Sequence, residues 1–287
     1  MGKKKSDKTV VIEYIFDQLY DSETEQFTRT IVTSEDLQNA KRYCAEHHQI
    51  TLKLDGNPFN FMKDIVRGKS ANKIWPERLR KLGIVGQQRT GNGAIFEFVR
   101  QEDGSPESFE EDFRPTETTP RIPIQSLSLP LASKSLGRTD ESWLLQVAVN
   151  LRVVETHFAT GQDTQVNALE LSHLQMDIKL RKVQIDALFL AQFASQSGEK
   201  TESALITVEA KQGNQRILTE QIARQVRAAF DSTKTNLVIP LAIAAIKNQG
   251  IYVVEFKAVN RSEIDQFMTP IFHRDAMFIL YPAVTGI

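Results

Sequence analysis

Only one cysteine, Cys44, occurs among the 287 residues, which excludes an intramolecular disulfide and a cysteine-cage zinc site. Its stretch, Asn39 to His47, has a helical pattern, so the thiol reads as a small packed hydrophobe. Long apolar runs are missing too: no segment reaches the roughly 20 residues that a bilayer-crossing helix needs. The basic start MGKKKSDKTVV has no such run behind it. The expectation is a cytoplasmic protein without a membrane partner. Histidines supply no metal set, because His47 and His48 diverge on a helix while His157, His173 and His273 lack short ligand spacing. Ser142, Ser172 and Ser203 have no GxSxG setting, and Gly91-Asn92-Gly93 lacks the rest of a phosphate loop, which argues against serine hydrolases and ATP-driven enzymes.

Neither sign of charge is in excess: the formal net charge is −1. That average conceals an arrangement. From Phe61 to Thr90 the basic Lys63, Arg67, Lys69, Lys73, Arg78, Arg80, Lys81 and Arg89 meet only Asp64 and Glu77. From Gln101 to Pro120 the balance reverses, with acids from Glu102 to Glu117 against Arg114 alone. A concentrated basic patch can meet a phosphate backbone even in an acidic protein.

These shifts divide the chain into a mainly helical domain at 1–100, an acidic linker rich in Pro, Ser and Thr at 101–135, and an α/β domain at 136–287. In the first, Ser34 or Thr33 can cap a helix to His47, and Asn57-Pro58 opens a second. Trp75 to Leu82 is a third, closed by Gly83. Short segments through Phe96 and Phe98 then suggest a terminal hairpin. Helices followed by such a hairpin resemble a winged helix-turn-helix module, with Trp75–Leu82 nearest DNA and Gln87–Gly93 as the wing. Arg78, Arg80, Lys81 and Arg89 would then be its DNA-binding residues; a compact helical subdomain with a solvated basic surface explains the pattern equally well.

The second half predicts strands over Leu171–Leu180, Val183–Ala191 and Ala204–Ala210, with Arg181-Lys182 as a tight turn between the first two. A helix over Ile217–Asp231, a long apolar run over Asn236–Ala245 and a strand over Ile251–Val259 follow, whereas Trp143–Phe158 fits either helix or strand. The sum is a mixed sheet covered by at least one helix. Within it, Asp186 interrupts the apolar VQIDALF, and Glu209 and Lys211 in LITVEAKQG share one strand face. An acid inside such a run is costly unless paired, hydrogen-bonded or bound to metal. Two close carboxylates suit magnesium, and a lysine beside them can stabilise charge on a phosphoryl group. The alternative is a buried ionic network that supports the sheet. Gln221 and Gln225, four apart on the following helix, share a side that is either solvated or turned to this group. Glu255-Phe256-Lys257 repeats the acid-x-lysine spacing, but no acid stands in the strand before it.

Asp186 followed by Glu209-Ala210-Lys211 resembles the active-site pattern of the PD-(D/E)XK nucleases, over roughly Trp143 to Val259. Ile185 stands where the pattern often has proline. The resemblance implies an endonuclease-like mixed-sheet core, Asp186 and Glu209 holding Mg2+, catalytic Lys211, and a further acid from an upstream helix. Glu155 is the first candidate for that acid, Glu141 the second, and Glu170 if the segment before it is a strand. Glutamines resembling Gln221 occur near the active site in parts of the family. With a DNA-reading domain attached, the build is most similar to a type II restriction endonuclease, which implies cleavage of double-stranded DNA by a homodimer. A repair or junction nuclease and a noncatalytic DNA-binding regulator are the other readings.

Overall fold

The computed structural model describes residues 5–66, 71–89, 93–101, 112–135, 138–195, 200–213 and 215–287. Basic Arg67 and Lys69, the acids from Glu102 to Glu111 and the tip of the expected wing lie outside them. The chain forms two units, residues 1–111 and 112–287.

The first unit runs α1 (Asp7–Leu19), the short strands β1 (Tyr20–Asp21) and β2 (Gln26–Phe27), β3 (Ile31–Thr33) and α2 (Ser34–His48). It continues through α3 (Phe59–Val66), α4 (Ala71–Ile74), α5 (Glu77–Lys81), β4 (Ile84–Gln88) and β5 (Ala94–Arg100). Thr33 caps α2 in a reciprocal box with Asp36, which satisfies donors that the first helical turn leaves open. Strands β3, β5 and β4 pair antiparallel in that order, under a core of Val11, Ile15, Phe16, Leu37, Met62, Trp75 and Phe96. Trp75 is not helical. Pro76 is the N-cap of α5, and the Trp75 indole is buried, donating to the Ile84 carbonyl at 2.8 Å.

In the second unit β6 (Arg121–Gln125) and α6 (Leu131–Ser135) precede α7 (Glu141–Asn150) and α8 (Val153–Thr160). The long strands β7 (Ala168–Leu180), β8 (Val183–Ala194) and β9 (Thr201–Lys211) follow, then α9 (Thr219–Ser232) and β10 (Leu237–Ile246). After β11 (Gly250–Phe256) and β12 (Val259–Asn260), a single 3-10 turn at Arg261–Glu263 leads to β13 (Phe272–Tyr281). Thus part of the expected linker is built into this unit, because β6 pairs parallel with β13 as the sheet's edge. The sheet order is β6-β13-β11-β10-β9-β8-β7, with β12 on β10; β9 and β10 run parallel and are joined through α9.

Trp143 to Phe158 is helical, broken at Arg152, whose φ of 56° is left-handed. Asp140 starts the first helix by accepting from Trp143 N at 2.8 Å. Trp143, Leu144, Val147, Val153, Val154 and Phe158 then cover one sheet face, over Phe189, Ile206, Leu241, Val253 and Phe278. The other face meets α9: Val226, Ala229 and Phe230 pack on Leu188, Leu205 and Val238, while Ile222 lies with Ala242 and Tyr252. Covered on both faces, β10 is an almost unbroken apolar strand. Among the described residues no helix is long and apolar enough to cross a membrane.

Candidate active site

On the α9 face, side-chain alternation sets Asp186 in line with Leu188 and Leu190 of β8, and Glu209 and Lys211 in line with Leu205 of β9. The ladder between the two strands ends at the pair Ala187 and Val208. One step further, the Asp186 carboxylate takes the place of a backbone acceptor, receiving the Ala210 N–H at Oδ2 over 2.8 Å. The parted strands therefore bring the three expected residues to one point.

Glu209 and Lys211 are almost wholly buried, and Lys211 Nζ donates directly to Glu209 Oε1. Lys211 also donates to Gln221 Oε1 at 3.0 Å. Gln225, completely buried, donates from Nε2 to Glu209 Oε2 at 2.5 Å and to the Gln184 carbonyl at 3.2 Å. The shared helix side of Gln221 and Gln225 is thus turned to the acid and the lysine; for Gln225 the solvated alternative is overturned. Asp186 is half-buried and its Oδ1 takes no hydrogen bond among the described residues.

Burial, and next the charge of Glu209, push the Asp186 carboxyl up to about 7, against the pull of the Ala210 N–H and Lys211. The proton is held more tightly in the folded chain than in the unfolded one. This contribution to stability is complete below the ordinary carboxylate range and is lost as pH rises through about 7. Metal-free protein in EDTA is therefore expected to melt at a falling temperature from pH 5 to 8, and Asp186→Asn to remove that part of the fall. Parallel melting profiles of the two proteins would contradict the assignment.

Two carboxylates, one with a free oxygen, are a hard-oxygen donor set that fits a divalent cation retaining much of its water. Among the described residues no group of three or more His, Cys, Asp or Glu is placed to hold a metal. Glu155 does not join the pair: α8 packs on the opposite sheet face, and Glu155 is bound at 3.0 Å by Arg152. Glu141 accepts from Gln215. Glu170 is exposed and in register with Gln192, roughly 20 Å along β8 from Asp186 at the rise of an extended strand. The acid that sequence reasoning passed over is Asp177 on β7, whose charge also reaches Asp186. Its signal was the turn, because Asp177 and Asp186 are equally distant from Arg181-Lys182.

The second acid-x-lysine copy has another role. Glu255 points to the α8 face and is enclosed by His157 at 2.8 Å, Arg274 at 2.7 Å and Gln165 at 2.7 Å, while Lys257 is exposed.

In the first unit the four expected DNA contacts divide. Arg78, Arg80 and Lys81 line an open cleft of about 1190 Å³ with Lys5, Lys73 and Tyr20, and Arg89 is not among its lining residues. Arg78 is paired with Asp17 at 2.5 Å, Lys81 with Glu77 at 2.9 Å and Arg89 with Glu97 at 2.7 Å. Three of the four thus meet an acid, and two of those acids, Asp17 and Glu97, lie outside the local sequence window and arrive through the fold.

Compared with protein-family models, with curated proteins and with solved structures, the chain matches none.

Proposed function

We propose that the chain is a magnesium-dependent DNA endonuclease of the PD-(D/E)XK type, most similar in build to a type II restriction endonuclease. The observation that carries this reading is the convergence of Asp186, Glu209 and Lys211 where β8 and β9 part, with Gln221 and Gln225 bound to the last two. The order helix, three antiparallel strands, helix and parallel strand from α7 to β10 supports it.

Asp186 and Glu209 would hold the cation, which supplies an activated water and neutralises charge on the phosphoryl oxygens. The chain's own groups do the rest. Gln225 fixes one Glu209 oxygen, and Gln221 with the other Glu209 oxygen fixes the Lys211 ammonium. Held there, Lys211 faces the growing negative charge without reorganising. Asp186, with a proton affinity near neutrality, must release its proton to act as a ligand, so the affinity for Mg2+ rises with pH up to about 7.

For the first unit, the order helix, short strand pair, strand, helices and two strands, with β5 between β3 and β4, supports the winged-helix reading and hence duplex DNA as substrate. Two copies would address the two strands of a symmetric site.

The test is digestion of unmethylated genomic DNA with Mg2+, with EDTA as control, followed by sequencing of the ends. Fragments sharing one end sequence are expected. Random ends or a preference for branched DNA would replace restriction by general or junction cleavage, and intact DNA of every kind would leave a binding protein whose ionic cluster only supports the sheet.

A further inference from the structure

The β7–β8 hairpin closes on Arg181-Lys182, with Leu180 paired to Val183, Ile178 to Ile185 and Met176 to Ala187. Continued between these pairs, that register sets Asp177 across from Asp186, whose carboxyl feels the charges of both Glu209 and Asp177. Asp177 adopts φ 52°, a left-handed conformation inside a strand that strains a residue carrying a side chain. Its Oδ1 is held by Gln184 Nε2 at 3.2 Å, and its other oxygen takes no hydrogen bond among the described residues.

A second observation points to a guest at these carboxylates. Gln225 is completely buried, yet its Oε1 has no partner among the described residues. Its Nε2 binds acceptors, Glu209 Oε2 and the Gln184 carbonyl, so the amide orientation that leaves Oε1 unpaired is fixed. A buried acceptor without a donor is destabilising and calls for a donor or a cation.

We infer that Asp177 is a positioning residue for a hydrated divalent cation held by Asp186 and Glu209, accepting a hydrogen bond from one of its waters. This rests on the metal-dependent reading above. Water, rather than the ion itself, is the partner of Asp177, because no three acids among the described residues close on a single point. Magnesium-like cations keep several waters, and groups that orient such outer partners typically contribute 10–100-fold in metal affinity.

Calorimetric titration of the full chain with Mn2+ separates the possibilities. Wild type is expected to bind one ion, and Asp177→Asn to bind one ion about tenfold more weakly. Asp177→Gly removes the carboxylate while relieving the left-handed strain, so it should melt at a higher temperature than wild type without metal and still bind Mn2+ more weakly. Equal affinity in wild type and both variants would overturn the role of Asp177 alone, leaving the Asp186 and Glu209 site in place. Two ions in wild type falling to one in Asp177→Asn would make Asp177 a direct ligand and overturn the water-mediated role. Absence of any binding to wild type would overturn the metal reading itself and this inference with it.

Discussion

Glu209→Gln is expected to lower magnesium-dependent cleavage of duplex DNA by about a thousandfold, the scale on which deletion of one charge-stabilising group acts in an active site. Glutamine keeps the shape and an oxygen for Lys211, but it removes the negative charge that a divalent cation needs. The same change strands an ammonium. Lys211 is buried and its partners are Glu209 and Gln221, so losing one partner of the pair costs stability, on the order of 3–5 kcal/mol. An inactive single variant could then be an unfolded one. Glu209→Gln with Lys211→Met removes both charges together and is expected to regain much of the lost melting temperature while staying inactive. Asp186→Asn takes this further. Its amide oxygen can still accept the Ala210 N–H, and repulsion with Glu209 is gone. Above pH 7 it should therefore melt higher than wild type when both are free of metal, yet cut no DNA when Mg2+ is supplied. That opposition of stability and activity marks a group retained for chemistry. A variant that is both less stable and fully active would assign Asp186 to the sheet alone.

The legible part of the site was the part encoded by strand periodicity. Glu209 and Lys211 share a face because alternate residues do, and Asp186 stood out as an acid in an apolar strand. Glu155 misled because helical spacing tells which residues share a helix side but not which sheet face receives the helix. Asp177 was legible in principle from hairpin symmetry, yet it stands on an exposed stretch of strand, where an aspartate needs no partner to account for it. Helix α1 escaped notice because Val10, Val11, Ile12, Ile15 and Phe16 combine β-branched residues with helical spacing, and only packing against α2 decides between the two. Edge strand β6 lies in a Pro- and Ser-rich segment whose pairing with β13 is a long-range contact that local composition does not carry. The ion pairs of Arg78 and Arg89 are hidden for the same reason.

Arg274→Met is expected to destabilise the second unit by about 3–5 kcal/mol, roughly 6–20 °C in melting temperature for a unit of this size, without touching the α9 face. Arg274 Nε lies 2.7 Å from Glu255 Oε2, and Glu255 is entirely buried with His157 on the same oxygen at 2.8 Å. Burial, and among the charges nearby Arg274, hold His157 below its ordinary proton affinity, although the Glu255 hydrogen bond opposes them. Remove Arg274, and His157 gains affinity for a proton that would replace the missing positive charge beside Glu255. With its folded pKa raised relative to wild type, protonated His157 contributes stability that is present at low pH and lost as pH rises through that value. The deficit of Arg274→Met should accordingly be smaller at pH 6 than at pH 8. Gly161→Ala probes the same contact without changing any charge. The Gly161 backbone has φ −72°, which alanine adopts freely, but an added Cβ would sit 1.4 Å from Arg274 Nη1 and displace the guanidinium. Denaturant melts of both variants at pH 6 and 8 check the argument: matching deficits that shrink at the lower pH are expected, and a Gly161→Ala protein as stable as wild type would show that Arg274 is not held where Glu255 needs it.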